Sequence, residues 1–431
     1  MVATFFIIIY TLFCLKQKDP LNILISIIYL IPYHFFFSYL FSYIDGHPGL
    51  FPMWKDLGSI IFFIKILLGK HHKINKTTSL LLSLFFILIS LFFFQVYGKE
   101  DEALSVYRLY INGLSITMGL SILHLDTNSL RKLFKCIVIS ALIIGVTNII
   151  QYFVIREALH FFMEHYEINR YGELVFQSVS MTIMGFERMS GFVGGPNSLG
   201  LVLSFYIILI ISFYSFNKGA TTKVEKNILF LTIVLNIFCF ILSFSRAGWA
   251  IFFISYVLIL YLKRKLTLAV KYLFLGSITL IFIISFAYSF IPEVAEIIQG
   301  TFSGKEGSAA TRGDMVTNSY QELLYNPFGH GLGSSRANGA VFAESAVLNT
   351  AFDIGLSGVI FLYLIWLYFY FRMKKNGNNL IYIISRSILI ASAIACFVSV
   401  NPLEWPYFYF LWGIMGIGIN PSFKDLIKKE T

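Results

Sequence analysis

The chain has 431 residues, of which 57% are apolar, 18% aromatic and only 13% charged, and its net charge is +10. Average globular domains carry about 25% charged residues, so a water-soluble fold is excluded. Apolar runs of membrane-spanning length recur along the chain, and no soluble domain stands at either end. In chain order the runs predict spans at 2–15, 21–44, 57–69, 78–97, 108–125, 136–155, 195–216, 227–243, 247–262, 272–290, 346–371, 380–400 and 405–420. The expectation is an all-α polytopic membrane protein of about 12–13 transmembrane helices, forming a single integral membrane domain over 1–431. No small-residue cleavage site follows the first run, which reads as a membrane helix. Cys14, Cys136, Cys239 and Cys396 all lie in apolar runs without metal-ligand spacing and read as packing residues.

The cations fix an orientation. Clusters occur in every second loop: "KQK" at 16, "KHHKINK" at 70, "RKLFK" at 131, "KGATTKVEK" at 218, "KRK" at 263, "RMKK" at 372 and the tail "KDLIKK". The positive-inside rule places these loops in the cytoplasm, with the N-terminus outside and the C-terminus inside. Two outer loops are long, 156–194 and 291–345, the second preceding the eleventh span. Of the 33 Lys and Arg, 21 fall inside and 18 of those are Lys; 10 fall outside and 7 of those are Arg, with Lys65 and Arg386 inside spans. The outer arginines are Arg108, Arg156, Arg170, Arg188, Arg246, Arg312 and Arg336. Lysine suffices as a point charge that orients loops, whereas the guanidinium fork grips phosphate and carboxylate in a bidentate manner. The skew therefore reads either as an outward-facing anion site or as drift in small counts.

Four stretches on the outer side carry candidate chemistry. "LSFSRAGW" at 242–249 puts Arg246 at the junction of two apolar runs. An arginine at mid-membrane costs about 2.5–3.5 kcal/mol or more, so the outer membrane boundary is the expected place for it. "ERMSGFVGGPNSLG" at 187–200 leads into a span, with Asn197 as expected N-cap and Arg188 upstream. In "SAATRGDMVTNSYQELLYNPFGHGLG" at 308–333, Val316, Tyr320, Leu323 and Leu324 repeat at helical spacing. An amphipathic helix is expected near 312–325, with Arg312 in its first turn and Asn326-Pro327 ending it. His330 follows, read either as a turn residue or as a base. "ESAVLNTAFDIGLSG" at 344–358 opens a span. Glu344 stands at its mouth, either as reactive carboxylate or as an acid matched to the helix dipole. Asp353 falls within the span and requires a partner or cavity. "KEDE" at 99–102 reads as a solvated acidic loop, and no metal site is expected there.

Taken in order, these motifs resemble those of the O-antigen polymerase and O-antigen ligase superfamily. The stretch R-x-S-G-x-x-x-x-P-N-x-x-G is present at 188–200, S-R-A at 245–247, "SAATR" before the amphipathic helix, and "NPFGHGLG" as the glycine-rich turn. "ESAVLNTAFDIGLSG" is similar to the family's closing motif, with two departures: Glu344 stands where the family often has His, and Asp353 where it often has Glu. The resemblance covers about residues 188–360. It implies a GT-C-like architecture and a metal-independent, cofactor-free, inverting glycosyl transfer from an undecaprenyl-pyrophosphate-linked oligosaccharide at the periplasmic side of the bacterial inner membrane. Under it, Arg246 and Arg312 steady the leaving pyrophosphate, Glu344 is the base for the acceptor hydroxyl, Arg188, Asn197, Arg336 and His330 bind substrate, and Asp353 gives support. The missing His points towards a polymerase, acting on lipid-linked donor and acceptor, with the bilayer and a chain-length regulator as partners and no nucleic acid. The alternatives are a ligase that transfers polymer to lipid A–core, and a flippase for the lipid-linked unit.

Overall fold

The computed structural model describes residues 2–45, 50–69, 75–95, 100–155, 188–216, 223–265, 320–337, 345–377, 379–399 and 401–422. It also describes four short strands between 165 and 187 and a few helical residues between 267 and 317. The protein is an all-α polytopic membrane protein. Its helices are α1 (Val2–Lys16), α2 (Pro20–Leu30), α3 (His34–Asp45), α4 (Trp54–Leu68), α5 (Lys76–Phe94), α6 (Glu100–Ile122) and α7 (Thr127–Phe153). After the strands come α8 (Pro196–Phe216), α9 (Lys223–Leu242), α10 (Arg246–Leu262), the short α11 (Ser334–Ala337), α12 (Ala346–Asn376), α13 (Leu380–Ala395) and α14 (Tyr407–Ile419). Six helical segments among the described residues are long and apolar enough to cross a membrane, one of them being α2 and α3 joined through the 3₁₀ turn Ile31–Tyr33. Val2–Lys16, Arg246–Leu262, Leu380–Ala395 and Tyr407–Ile419 are shorter apolar helices. The span expected at 272–290 lies almost wholly outside the described residues.

Helices α13 and α14 form the centre. They are apolar on nearly every side and buried on nearly every side, the mark of a helix enclosed by others. Helix α6 packs along α14, and α8 and α13 both pack along α10. Small residues set the spacing: a Cβ on Gly113 would meet the ring of Phe408, and one on Gly416 would stand 2.8 Å from the Thr117 carbonyl oxygen. Close backbone approach of this kind is how helices associate where lipid leaves no hydrophobic drive between them. Exposed Leu, Ile and Phe side chains on α1, α5 and α9 form the outer, apolar surface.

Hydrogen bonds sort the helix ends into two sets. At one end Lys65 Nζ donates to the Leu15 (2.7 Å) and Gln17 (2.6 Å) carbonyls, Lys132 Nζ donates to Asn22 Oδ1 (2.5 Å), and Asn420 Nδ2 donates to the Leu120 (2.6 Å) and Leu123 (2.8 Å) carbonyls. This end carries the lysine-rich loops. At the other end Ala3 N donates to Asp45 (3.0 Å), Arg188 Nε donates to the Ser243 carbonyl (2.9 Å), and Ala346 N donates to the Ser399 carbonyl (3.2 Å). All described candidate site residues but Asp353 lie in the turns and first helical residues of this lysine-poor end, and Asp353 lies two turns into α12.

Two expectations are corrected here. Residues 156–194 are more than a loop: β1 (His165–Ile168) pairs antiparallel with β2 (Leu174–Gln177), and β3 (Thr182–Ile183) with β4 (Phe186–Glu187). The strands are rich in β-branched and aromatic residues, and Gly172 and Gly185 lie between the paired runs. The acidic residues of "KEDE" are not loop residues either: Glu100, Asp101 and Glu102 form the first turn of α6, where carboxylates match the positive end of the helix dipole.

Candidate functional site

The first group forms where α8 and α10 begin. Pro196 occupies the first helical position of α8, where its fixed φ and missing N–H cost nothing. Asn197 therefore lies inside the helix and is not its N-cap, which corrects the expectation above. Its side chain is directed elsewhere: Arg188 donates from a terminal nitrogen to Asn197 Oδ1 at 2.8 Å. Arg188 also donates to the carbonyls of Ser243 (2.9 Å) and Phe244 (3.2 Å). Phe244 has φ 47°, a left-handed conformation rare for a bulky residue, and it turns these carbonyls onto the guanidinium. The local strain is of the kind that concentrates at functional sites.

Arg246 follows directly. Ser245 caps α10, its Oγ accepting from Gly248 N at 3.2 Å, and Arg246 is the first residue of the helix. The two helices meet through glycines: a Cβ on Gly248 would stand 2.7 Å from the Gly200 carbonyl oxygen, and one on Gly200 would overlap Ser245. That approach sets Arg246 beside Arg188. Burial, and after it the like charge of Arg246, holds the Arg188 guanidinium below its ordinary pKa. Arg188 is buried and held through Nε and one terminal nitrogen; Arg246 is exposed, with no hydrogen-bond or ion-pair partner among the described residues. A cation in the first turn of a helix, next to a second cation, is electrostatically unfavourable on both counts. An anion placed there would reverse both penalties, with the α8 and α10 N-termini adding their N–H groups.

The second group forms around a break in α12. Ile354 and Gly355 leave helical geometry, Gly355 at φ 70° and ψ 176°. The break frees backbone groups, and the turn at 326–333 takes them up. His330 N donates to the Phe352 carbonyl (2.8 Å), Gly331 N to the Asp353 carbonyl (3.0 Å), and Leu356 N to the Pro327 carbonyl (3.0 Å). The Asp353 carboxylate accepts from Ser335 N at 2.7 Å and so holds the start of α11, which carries Arg336. Asp353 thus has both the partner and the cavity that its place in a span requires. The His330 ring stacks on Phe352 at 4.3 Å between centroids, and its Nε2 lies 3.2 Å from Glu322 Oε1. These contacts hold the His330 ring against α12 and the helical turn at 320–325.

Gly355 carries a direct test. Its φ/ψ region is reached almost only by glycine, and a Cβ there would stand 2.6 Å from the Phe328 carbonyl carbon. Gly355→Ala is expected to destabilise the protein by about 2–4 kcal/mol, read as a lowered midpoint in a detergent melting curve. A midpoint equal to that of the parent protein would show that the break is not needed.

The structure removes one arginine from the candidate set. Arg108 Nε donates to Asp56 Oδ2 at 2.6 Å, a terminal nitrogen reaches the same oxygen, and Asn112 donates to the other carboxylate oxygen. A second terminal contact goes to the Pro52 carbonyl at 3.2 Å. This partly buried pair joins α4 to α6 and was missed in the sequence, because its members stand 52 residues apart. Beside it Trp54 Nε1 donates to His34 Nδ1 (3.1 Å), and Lys55 Nζ sits 4.2 Å from the centroid of the Trp405 ring.

Glu344 and Arg312 lie outside the described residues, as do Arg156 and Arg170; Arg336 is placed only by its backbone in α11. Helical residues at 317 and 320–325, ending at Asn326, fit the C-terminal part of the expected amphipathic helix. Among the described residues no group of three or more His, Cys, Asp or Glu comes together to hold a metal ion.

Residues 231–363 match a family model described as O-antigen ligase. No curated protein matches the chain. The matched segment holds Arg246 with its capping turn, the glycine-rich turn with His330, and the broken helix with Asp353. Over this segment the chain is similar to the O-antigen ligase family, which supports its place in the O-antigen polymerase and ligase superfamily.

Proposed function

We propose that the protein is an O-antigen polymerase of the bacterial inner membrane. It joins undecaprenyl-pyrophosphate-linked oligosaccharide units on the periplasmic side, which is the lysine-poor end of the bundle by the positive-inside rule. The observation that carries this reading is Arg246 at the head of α10, without a partner among the described residues, beside Arg188, which is held by three hydrogen bonds. A lipid pyrophosphate is a leaving group whose charge grows in the transition state, and preorganised cations at the membrane boundary stabilise that charge. Arg188 shapes the site and Arg246 grips the pyrophosphate. Arg312 adds a third cation, and Glu344 takes the proton of the acceptor hydroxyl as that oxygen attacks the anomeric carbon from the opposite side. The transfer inverts the anomeric centre and uses no metal.

The ligase reading is favoured by the description of the matched family model. Glu344 weighs for the polymerase, because it stands where the ligases of the family have His. The test is a surface-polysaccharide gel of a deletion strain carrying the gene on a plasmid or not. A ladder collapsed to core plus one repeat unit, restored by the plasmid, is the expected result. Core without any repeat, with long chains retained on the carrier lipid, would establish the ligase instead.

A further inference from the structure

A cavity of about 40 Å3 opens between α6, α12 and the 3₁₀ turn Asn401–Leu403 at the lysine-poor end. Tyr110, Ser335, Asn349, Thr350, Asp353 and Glu404 supply its polar lining. One ordered water needs about 15 Å3 by the same measure, so the cavity admits something larger. Ser335 and Thr350 are 3% and 7% exposed. Their hydroxyls have no hydrogen-bond partner among the described residues, although the Ser335 backbone N–H is held by Asp353. Both residues line this one cavity, where their hydroxyls are available to a bound group.

Among the described residues the lining holds carboxylates, an amide and hydroxyls but no cation. It therefore does not suit a phosphate, and it differs in kind from the Arg188–Arg246 group. Hydroxyls that both donate and accept, set beside carboxylates that accept and an amide that does both, match the edge of a neutral sugar. The 3₁₀ turn at 401–403 packs against α12 and also against α8, whose Asn197 accepts from Arg188. We infer that the cavity is the subsite for a sugar of the acceptor oligosaccharide, with Thr350 and Ser335 as specificity-determining residues. The inference rests on the glycosyl-transfer reading above.

The test separates the two. The purified protein in nanodiscs is titrated with the strain's own repeat-unit oligosaccharide, freed of lipid and pyrophosphate by mild acid, and the dissociation constant is measured calorimetrically. Thr350→Val keeps the side-chain shape and removes only the hydroxyl. It is expected to weaken binding about three- to tenfold, and Thr350→Val with Ser335→Ala about thirtyfold. Arg246→Lys leaves this affinity unchanged, because the probe carries no phosphate. The inference is overturned if the parent protein does not bind the sugar, or if the double variant binds as tightly as the parent, which would mean that the cavity holds ordered water only. Sugar binding that depends on Thr350, together with full transfer activity in Arg246→Lys, would keep the subsite and defeat the pyrophosphate assignment.

Discussion

Arg246→Lys is expected to abolish long surface polysaccharide while the protein remains folded and inserted. Lysine keeps the charge but loses the planar fork that makes two parallel contacts to a phosphate. Arg188 does not substitute for it, because its Nε and one terminal nitrogen already hold Asn197 and the Ser243 and Phe244 carbonyls. Removing one preorganised donor from a developing oxyanion costs about 10²–10³ in rate, and a loss of that size erases a ladder built by many successive transfers. Stability moves the other way. Arg246 sits in the first turn of α10 beside a second cation, and a first-turn cation costs about 0.3–1 kcal/mol. Arg246→Ala is therefore expected to hold or raise the melting midpoint in detergent while activity is lost, the pattern of a residue kept for function at the expense of stability. A normal ladder from normally inserted Arg246→Lys would mean that charge alone suffices at this position.

The helical membrane class was legible in the sequence, and the grouping of Arg188 with Arg246 was an expectation from the resemblance. Composition decides the first, because too few charges remain to cover a soluble surface. The second drew on two short motifs at the mouths of spans; the crossing at Gly200 and Gly248 that brings them together is seen only in the structure. What escaped was of two kinds. The Asp56–Arg108–Asn112 cluster joins residues from two helices, and no local pattern announces a pair so far apart in the chain. The role of Asn197 was misjudged because capping preference is a local prior, and a tertiary partner, Arg188, overrode it. The break at Gly355 was likewise hidden. A glycine in an apolar run reads as a packing residue until the turn at 326–333 is seen docked against it.

Glu344→Gln is expected to lower the rate of transfer by about 10²–10⁴, the span of a general base. Glutamine keeps the size and polarity of the side chain but takes no proton. The competing account makes Glu344 only a dipole partner for α12, and the local structure limits what that account can explain. The cap of α12 is Ser345, whose Oγ accepts from Leu348 N at 3.4 Å. A carboxylate just outside the helix then contributes about 0.3–1 kcal/mol of electrostatic stabilisation, which changes a folding equilibrium by no more than about fivefold. A hundredfold loss of rate in a protein with an unaltered melting curve cannot come from that source. Glu344→His supplies the sharper measurement. Histidine restores a base, and its ordinary pKa is about 6.5 against about 4.3 for glutamate, so the acid limb of the pH–rate profile is expected to move upward by about two pH units. A fully active Gln variant, or a His variant whose acid limb stays with the parent's, would pass the role of base to another group in the outer loop.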